Sequence, residues 1–331
     1  MANAFRLSVA IPVHNEESVL PELLPRLRSV LDTVPGGPHE IVFVDDGSTD
    51  RTFTSLEQAA RQDPRIIVLS LSRNFGHQTA ITAALDYVSG DATVVMDADL
   101  QDVPEDIPKF VERHLQGYDV VYAKRVRRKE PWPLKFSYYV FYRLMASLSD
   151  IRLPLDSGDF GLMSRRVVDE VRRMPEHHRY LRGMRTWVGF RQTGIAVERA
   201  ERHSGRSKYS FSRLLKLAMD GVFAFSIVPI RTAALLGALA MFVSLIYAAY
   251  ALYVRIFSQK APQGFTGLLV TVVFLSGMIL FFLGMIGEYV GRIYEETKGR
   301  PQYIIARTLG RSAGERESAV EIARLGQRAH G

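Results

Sequence analysis

The stretch Thr93-Val-Val-Met-Asp97-Ala98-Asp99-Leu100-Gln101-Asp102 decides the fold class. A short unbroken apolar run reads as a strand covered on both faces, and this one closes on alternating acidic residues. Val42-Phe-Val-Asp45-Asp46-Gly47-Ser48-Thr49-Asp50 repeats the design. Further apolar runs stand at Leu7 to Pro12, Ile66 to Leu71 and Val120 to Ala123. Helix-period stretches at Val19 to Leu31, Thr52 to Arg61 and Gln78 to Val88 separate them. Strands alternating with helices predict an α/β domain with a mostly parallel, Rossmann-like sheet, over residues 1–215.

In an open α/β sheet, ligands bind beyond the carboxyl ends of the strands. Asp45 stands there and can accept hydrogen bonds from a base or a ribose hydroxyl. Asp46-Gly47 reads as a turn, with Ser48 or Thr49 as the cap of the next helix. Asp97 and Asp99 project on one side of an extended chain, and Gln101 adds a third oxygen at the same spacing. That set suits a hard divalent cation that keeps several waters and takes phosphate oxygens. The expectation is metal-dependent nucleotide chemistry. Ile11-Pro12-Val13-His14-Asn15-Glu16 stands where a dinucleotide fold would carry GxGxxG, and no GxxxxGK[ST] occurs. His14, His77, His177 and His178 lack zinc-ligand spacing, and His77 reads as a polar loop residue. With no cysteine, a disulfide scaffold, a thiolate zinc site and a cysteine nucleophile are excluded.

The 331 residues carry 42 basic against 35 acidic side chains, a net +7, with a mean hydropathy near zero. That mean conceals a split. Between Arg231 and Arg255 lie 23 residues without formal charge, and between Lys260 and Glu288 lie 27. A bilayer core needs roughly 20 apolar residues in a helix. Two transmembrane helices are therefore expected within 231–288, at about 232–254 and 264–287. Arg231 precedes them and Arg292, Lys298, Arg300, Arg307 and Arg311 follow, which puts both flanks in the cytosol. The expected location is the inner (cytoplasmic) membrane, multi-pass, with the catalytic domain and both termini cytosolic. Met1 to Arg6 lead straight into the first strand run without an apolar h-region, so no signal peptide is expected there. Two aromatic or basic stretches read as interfacial: Phe136 to Met145, and the membrane-proximal segment 216–230. For Phe136 to Met145, simple cover for the sheet is the alternative. Residues 289–331 read as a cytosolic C-terminal segment ending in a loosely ordered tail. Membrane flanks and anionic phosphates account for the basic surplus, so no nucleic-acid partner is expected.

Pro12-Val-His-Asn15-Glu16, Asp45-Asp-Gly-Ser48, Asp97-Ala-Asp-Leu-Gln101, Gly158-Asp159-Phe160 and Gly205-Arg-Ser-Lys-Tyr209 occur in this order. Together they resemble the polyprenyl-phosphate branch of the GT-A, family-2 glycosyltransferases, which includes dolichol-phosphate mannose synthase and bacterial undecaprenyl-phosphate glucosyltransferases. Gly287-Glu-Tyr-Val-Gly-Arg-Ile-Tyr294 and Arg300-Pro-Gln-Tyr303 extend the likeness past the apolar runs. The resemblance implies inverting transfer of a hexose from a UDP-sugar to undecaprenyl or another polyprenyl phosphate. Glucose is the first choice; a 4-amino-arabinose derivative, mannose and GlcNAc stay open. It implies that Pro12, Glu16 and Asp45 hold the uridine and that Asp97, Asp99 and Gln101 place Mg²⁺ or Mn²⁺ on the diphosphate. Arg202, Ser207 and Lys208 would bind that diphosphate from the other side.

For the lipid phosphate the resemblance points to Arg125 and Lys135, with Arg143 as a rival to Lys135. Asp159 is the candidate base. A phosphate monoester has its second pKa near 6, so a strong base is unnecessary and Asp159 can instead orient the sugar or acceptor. Arg182-Gly-Met-Arg185-Thr-Trp187 lacks the glutamine and the adjacent Arg-Trp of processive synthases, which argues against a polymerase. Two other readings stay open: a protein or polysaccharide acceptor, and a non-catalytic membrane scaffold retaining the fold. The resemblance implies a homo-oligomer formed through the spans, where Gly237, Gly277, Gly284 and Gly287 permit close helix contact.

Overall fold

The computed structural model of the chain describes residues 5–125, 157–177, 179–197, 228–258 and 264–310. These residues divide into two compact units. The first is built on a sheet whose strands form the expected apolar runs. They are β1 (Leu7–Val13), β2 (Glu40–Asp45), β3 (Ile66–Leu71), β4 (Ala92–Val95) and β5 (Val120–Arg125). Between them run α1 (Leu20–Thr33), α2 (Thr52–Gln62), α3 (His77–Tyr87) and α4 (Ile107–Leu115). β1 pairs in parallel with β2 and with β4, and β2 pairs in parallel with β3.

Alternate residues of these strands feed two separate apolar layers, as the two-residue period of a strand requires. On one face Leu7, Val9, Ile11, Ile41 and Phe43 pack with Leu20, Leu23, Leu27 and Leu31 of α1 and Phe110 of α4. On the other, Ala10, Val42, Val44 and Leu69 pack with Ala80, Ile81 and Ala84 of α3. Each fully buried Leu or Ile contributes roughly 1.5–3 kcal/mol over an exposed one. Helices on both faces explain why the strands read as unbroken apolar runs.

Three strands lie outside the sequence expectation: β6 (Ser157–Ser164), β7 (Gln192–Val197) and β8 (Ile305–Leu309). The order is β7-β5-β6-β4-β1-β2-β3-β8. β6 runs antiparallel between β4 and β5, β7 is parallel to β5, and β8 is antiparallel to β3. The sequence of β6, Ser-Gly-Asp-Phe-Gly-Leu-Met-Ser, is full of turn formers and becomes a strand only because it has partners on both sides. Gly161 shows the fit: a Cβ there would stand 2.6 Å from the Val121 carbonyl oxygen. Two helices, α5 (Arg165–Arg173) and α6 (Leu181–Trp187), follow β6 and add Val167, Val168 and Met184 to the second apolar layer.

The sequence reading sets 289–331 apart from the domain at 1–215, whereas Ile305–Leu309 is an edge strand of the same sheet. Tyr303, just ahead of it, is buried and donates its hydroxyl to Asp86 of α3 at 2.7 Å.

The second unit contains two long helices, α7 (Val228–Ser258) and α8 (Phe265–Thr297). Both outrun the expected spans. Large apolar side chains such as Phe242, Leu245, Phe274 and Phe281 are exposed along them. Among the described residues one helix, Phe274–Thr297, is long and apolar enough to cross a membrane; Leu235–Tyr247 is a shorter apolar stretch. The two interfacial readings, at 136–145 and through residue 227, lie outside the described residues.

Phe110 is fully buried and stacks edge-on against Phe160 of β6, with ring centroids 4.8 Å apart. Phe110→Ala is expected to cost about 3–5 kcal/mol by opening a cavity against Phe160. Urea unfolding followed by sheet-unit fluorescence measures it, and a loss under about 1 kcal/mol would show that the site relaxes around the hole.

Candidate active site

The carboxyl ends of β1, β2 and β4 meet along one rim of the sheet, and their loops are stitched together. Pro12 is buried within β1, paired with Val44. Beyond the strand Asn15 takes the left-handed conformation, φ 56°, which an asparagine tolerates. Its Oδ1 accepts the Thr49 N–H at 2.8 Å, its own N–H donates to Ser48 Oγ at 3.0 Å, and Glu16 N–H donates to Thr52 Oγ1 at 2.8 Å. The expected capping by Ser48 or Thr49 is therefore corrected. The cap position of α2 is Arg51, and both hydroxyl residues instead tie down the loop after β1.

Asp45 and Asp46 are both buried but serve different partners. Asp45 accepts from Ser48 N–H at 3.1 Å and from Ser70 Oγ at 3.2 Å. Asp46 turns the other way and receives two backbone donors, Phe75 N–H at 2.7 Å and Gly76 N–H at 2.9 Å. Gly47 makes this close approach possible. Its φ is +64°, and a Cβ would stand 2.6 Å from the Arg73–Asn74 peptide.

At β4 the alternation argument needs correction. The strand stops at Val95, so Asp97 to Asp102 form a turn, and the two-residue period does not set their directions. The turn is held by Asp97 N–H donating to Asp102 and Gln101 N–H donating to Asp99, each at 3.1 Å. Leu100 sits at φ 58°, a conformation rare for leucine, with its side chain buried as an anchor. Asp97, Asp99 and Gln101 all remain half-buried at the rim. Among the described residues no three His, Asp or Glu form a metal cage. Two half-buried carboxylates with hard oxygens fit a Mg²⁺-type ion, which keeps waters and phosphate oxygens as its other ligands.

Asp159 lies in β6, beside β4, and is almost wholly buried. Arg182 donates Nε to its Oδ1 at 2.9 Å and Nη2 to its Oδ2 at 3.3 Å, and Gln78 Nε2 donates to Oδ2 at 3.2 Å. His77, at the first position of α3, places Nε2 3.4 Å from Asp97 Oδ1 and 3.8 Å from Asp159 Oδ2. Burial alone would raise the Asp159 pKa, but His77 and the Arg182 charge prevail and hold the carboxyl well below the usual range. Burial lowers His77, yet Asp159 and Asp97 outweigh it and leave the imidazole raised. Arg185 is fully buried one turn beyond Arg182, and burial pushes its guanidinium down to about 10.

Thus Pro12, Glu16, Asp45, Asp97, Asp99, Gln101 and Asp159 belong to one sheet end. Arg125 closes β5, while Lys135, Arg143, Arg202, Ser207 and Lys208 lie outside the described residues. Sequence reasoning missed His77, Gln78 and Arg182. The one available signal was the position of His77-Gln78 at the start of the helix that follows β3.

Residues 8–172 match Glycosyl transferase family 2. The chain belongs to that family, and its sheet unit is a GT-A domain with a mixed, mostly parallel Rossmann-like sheet. It is 43% identical over 94% of its length to the uncharacterized glycosyltransferase YkcC of Bacillus subtilis, covering 96% of that protein. It is 38% identical to a prophage bactoprenol glucosyl transferase homolog of Escherichia coli, over 91% of this chain and 99% of that one. Among solved structures, glucosyl-3-phosphoglycerate synthase from Mycobacterium tuberculosis with Mn²⁺, UDP and phosphoglyceric acid aligns at TM-score 0.47. That match is 19% identical and covers 66% of this chain and 76% of the other.

Asp46→Ala is expected to lower stability by about 1.5–3 kcal/mol, because two part-buried N–H groups lose a charged acceptor. Thermal unfolding and UDP binding by calorimetry check it. A variant that matches the wild type in both would mean that loop 73–76 seats itself without Asp46.

Proposed function

We propose that the chain transfers glucose from UDP-glucose to a polyprenyl phosphate, undecaprenyl phosphate in a bacterium, at the cytosolic face of the membrane. The observation that carries this reading is similarity over nine-tenths of the chain to proteins named bactoprenol glucosyl transferase, spanning both the sheet unit and the apolar helices. In the proposed reaction a phosphate oxygen of the lipid attacks C1 of glucose. The bond from C1 to the β-phosphate oxygen breaks, C1 inverts, and UDP leaves.

In this reading Pro12, Glu16 and Asp45 hold the uridine. Asp97, Asp99 and Gln101 would hold Mg²⁺ or Mn²⁺, which when bound supplies positive charge to the leaving diphosphate. Arg202, Ser207 and Lys208 take the same diphosphate from the other side. Arg125, with Lys135 or Arg143, takes the acceptor phosphate as charge-assisted donors. That phosphate is already largely dianionic at neutral pH, its second pKa being about 6, so no side chain needs to remove its proton. Asp159, buried against Arg182 and kept ionised, suits a fixed anion that orients the sugar or acceptor better than a base. The helices Val228–Ser258 and Phe265–Thr297 are proposed as a two-span anchor with both flanks cytosolic, through which copies of the chain also associate.

Purified full-length protein with radiolabelled UDP-glucose and undecaprenyl phosphate is expected to form labelled lipid and UDP. Asp99→Asn should reduce transfer at least about 100-fold, as losing several kcal/mol of charge stabilisation implies. Undiminished transfer in that variant, or in EDTA, would remove the metal from the reading. Transfer only to non-lipid acceptors would remove the polyprenyl phosphate.

A further inference from the structure

We infer that Arg182 and Gln78 are positioning residues for Asp159, locking its carboxylate into one orientation at the acidic end of the sheet. The inference rests on the donor reading above, in which Asp159 faces the reacting groups. Its grounds are geometric. Asp159 sits in a strand, and its two oxygens are reached from the first turns of two different helices. From α6, Arg182 contributes a two-pronged guanidinium, at 2.9 Å to Oδ1 and 3.3 Å to Oδ2. From α3, Gln78 donates to Oδ2 at 3.2 Å, and its own amide oxygen accepts the Leu181 N–H at 3.0 Å.

Gln78 therefore bridges the carboxylate and the start of the helix that carries Arg182, so both ends of its amide are used. A salt bridge serving stability alone would need only the arginine. The added glutamine fixes the carboxylate plane and the approach of α6 together. Arg185 adds a second buried cation behind the strand, donating Nη2 to the Gly158 carbonyl at 3.3 Å. Among the described residues its Nε has no hydrogen-bond partner. A buried cation with so little local pairing makes sense beside an anion that must stay charged. The fork matters as well as the charge, since lysine cannot reproduce a planar two-pronged contact.

The test is a double-mutant cycle on full-length protein. Wild type, Arg182→Ala, Asp159→Asn and the double variant are compared, with Arg182→Lys as a fifth protein. Three quantities are read: kcat and KM for transfer from UDP-glucose to undecaprenyl phosphate, release of glucose from UDP-glucose to water, and UDP binding with Mn²⁺. Arg182→Ala should lower kcat on the order of 100-fold, the cost of a misplaced catalytic group, with UDP binding unchanged. The double variant should be no slower than Asp159→Asn alone, because Arg182 acts through Asp159. Arg182→Lys should recover part of the loss.

Losses that multiply in the double variant, or wild-type kcat in Arg182→Ala, overturn the inference. Should Arg182→Ala not fold, the cycle is closed with Arg182→Lys and judged by the same non-additivity. Should the wild type release glucose to water yet transfer none to lipid, the acceptor reading falls, and the cycle is still decided on the hydrolysis rates.

Discussion

Carboxylates gathered at one end of a sheet must each receive donors as they are buried, because an unpaired buried charge is far costlier than any contact it could make. This requirement organises the rim. Asp45 and Asp46 are satisfied mostly by main-chain N–H groups of neighbouring turns, so their partners are fixed by the backbone itself. Asp159 lies inside a strand whose own N–H groups serve the ladder, so its donors come from side chains of two helices. Asp97 and Asp99 are left half-buried on a turn. Those two combine a fixed position with access for an outside ligand, and they are the pair on which a hard cation fits.

The β1–β4 core was legible in the sequence because buried parallel strands and amphipathic helices write their burial directly into hydrophobic period. The strand ends at Asp45 and just before Asp97 were legible for the same reason: an apolar run that closes on acids marks where the sheet opens to solvent. What escaped was structure made by partners distant in the chain. β6 has a turn-like composition and is a strand only between β4 and β5. β8 comes after two long apolar helices, where nothing local signals a return to the sheet. His77, Gln78 and Arg182 escaped similarly, since their role exists only once α3 and α6 start beside the same carboxylate. The alternation rule failed at Asp97 because it was carried two residues past the strand that justified it.

The apolar helices change what the sheet must do at its edge. β3 would be an exposed edge strand with open main-chain groups if nothing paired with it. The chain supplies that pairing from beyond the helices, through β8, so the sheet unit is assembled from sequence on both sides of a long insertion. Residues 300–309 thus belong structurally to the sheet unit.

Helix α3 shows why that return strand bears on the chemistry. Its first residue, His77, stands between Asp97 and Asp159, so any drift of the helix would displace it from both. The entry to α3 is fixed by Asp46 through Phe75 and Gly76 and by Ser72 N–H bonded to the Ile304 carbonyl at 2.9 Å. Its exit is fixed by Arg172, which donates to the Leu85 and Val88 carbonyls at 2.6 Å each, and by Tyr303 on Asp86. The restraints come from β2, α5 and the C-terminal segment, three parts of the chain far apart in sequence. A helix held at both ends by independent elements cannot accommodate a local change by sliding. The His77 imidazole therefore keeps its place between the two carboxylates through the fold as a whole.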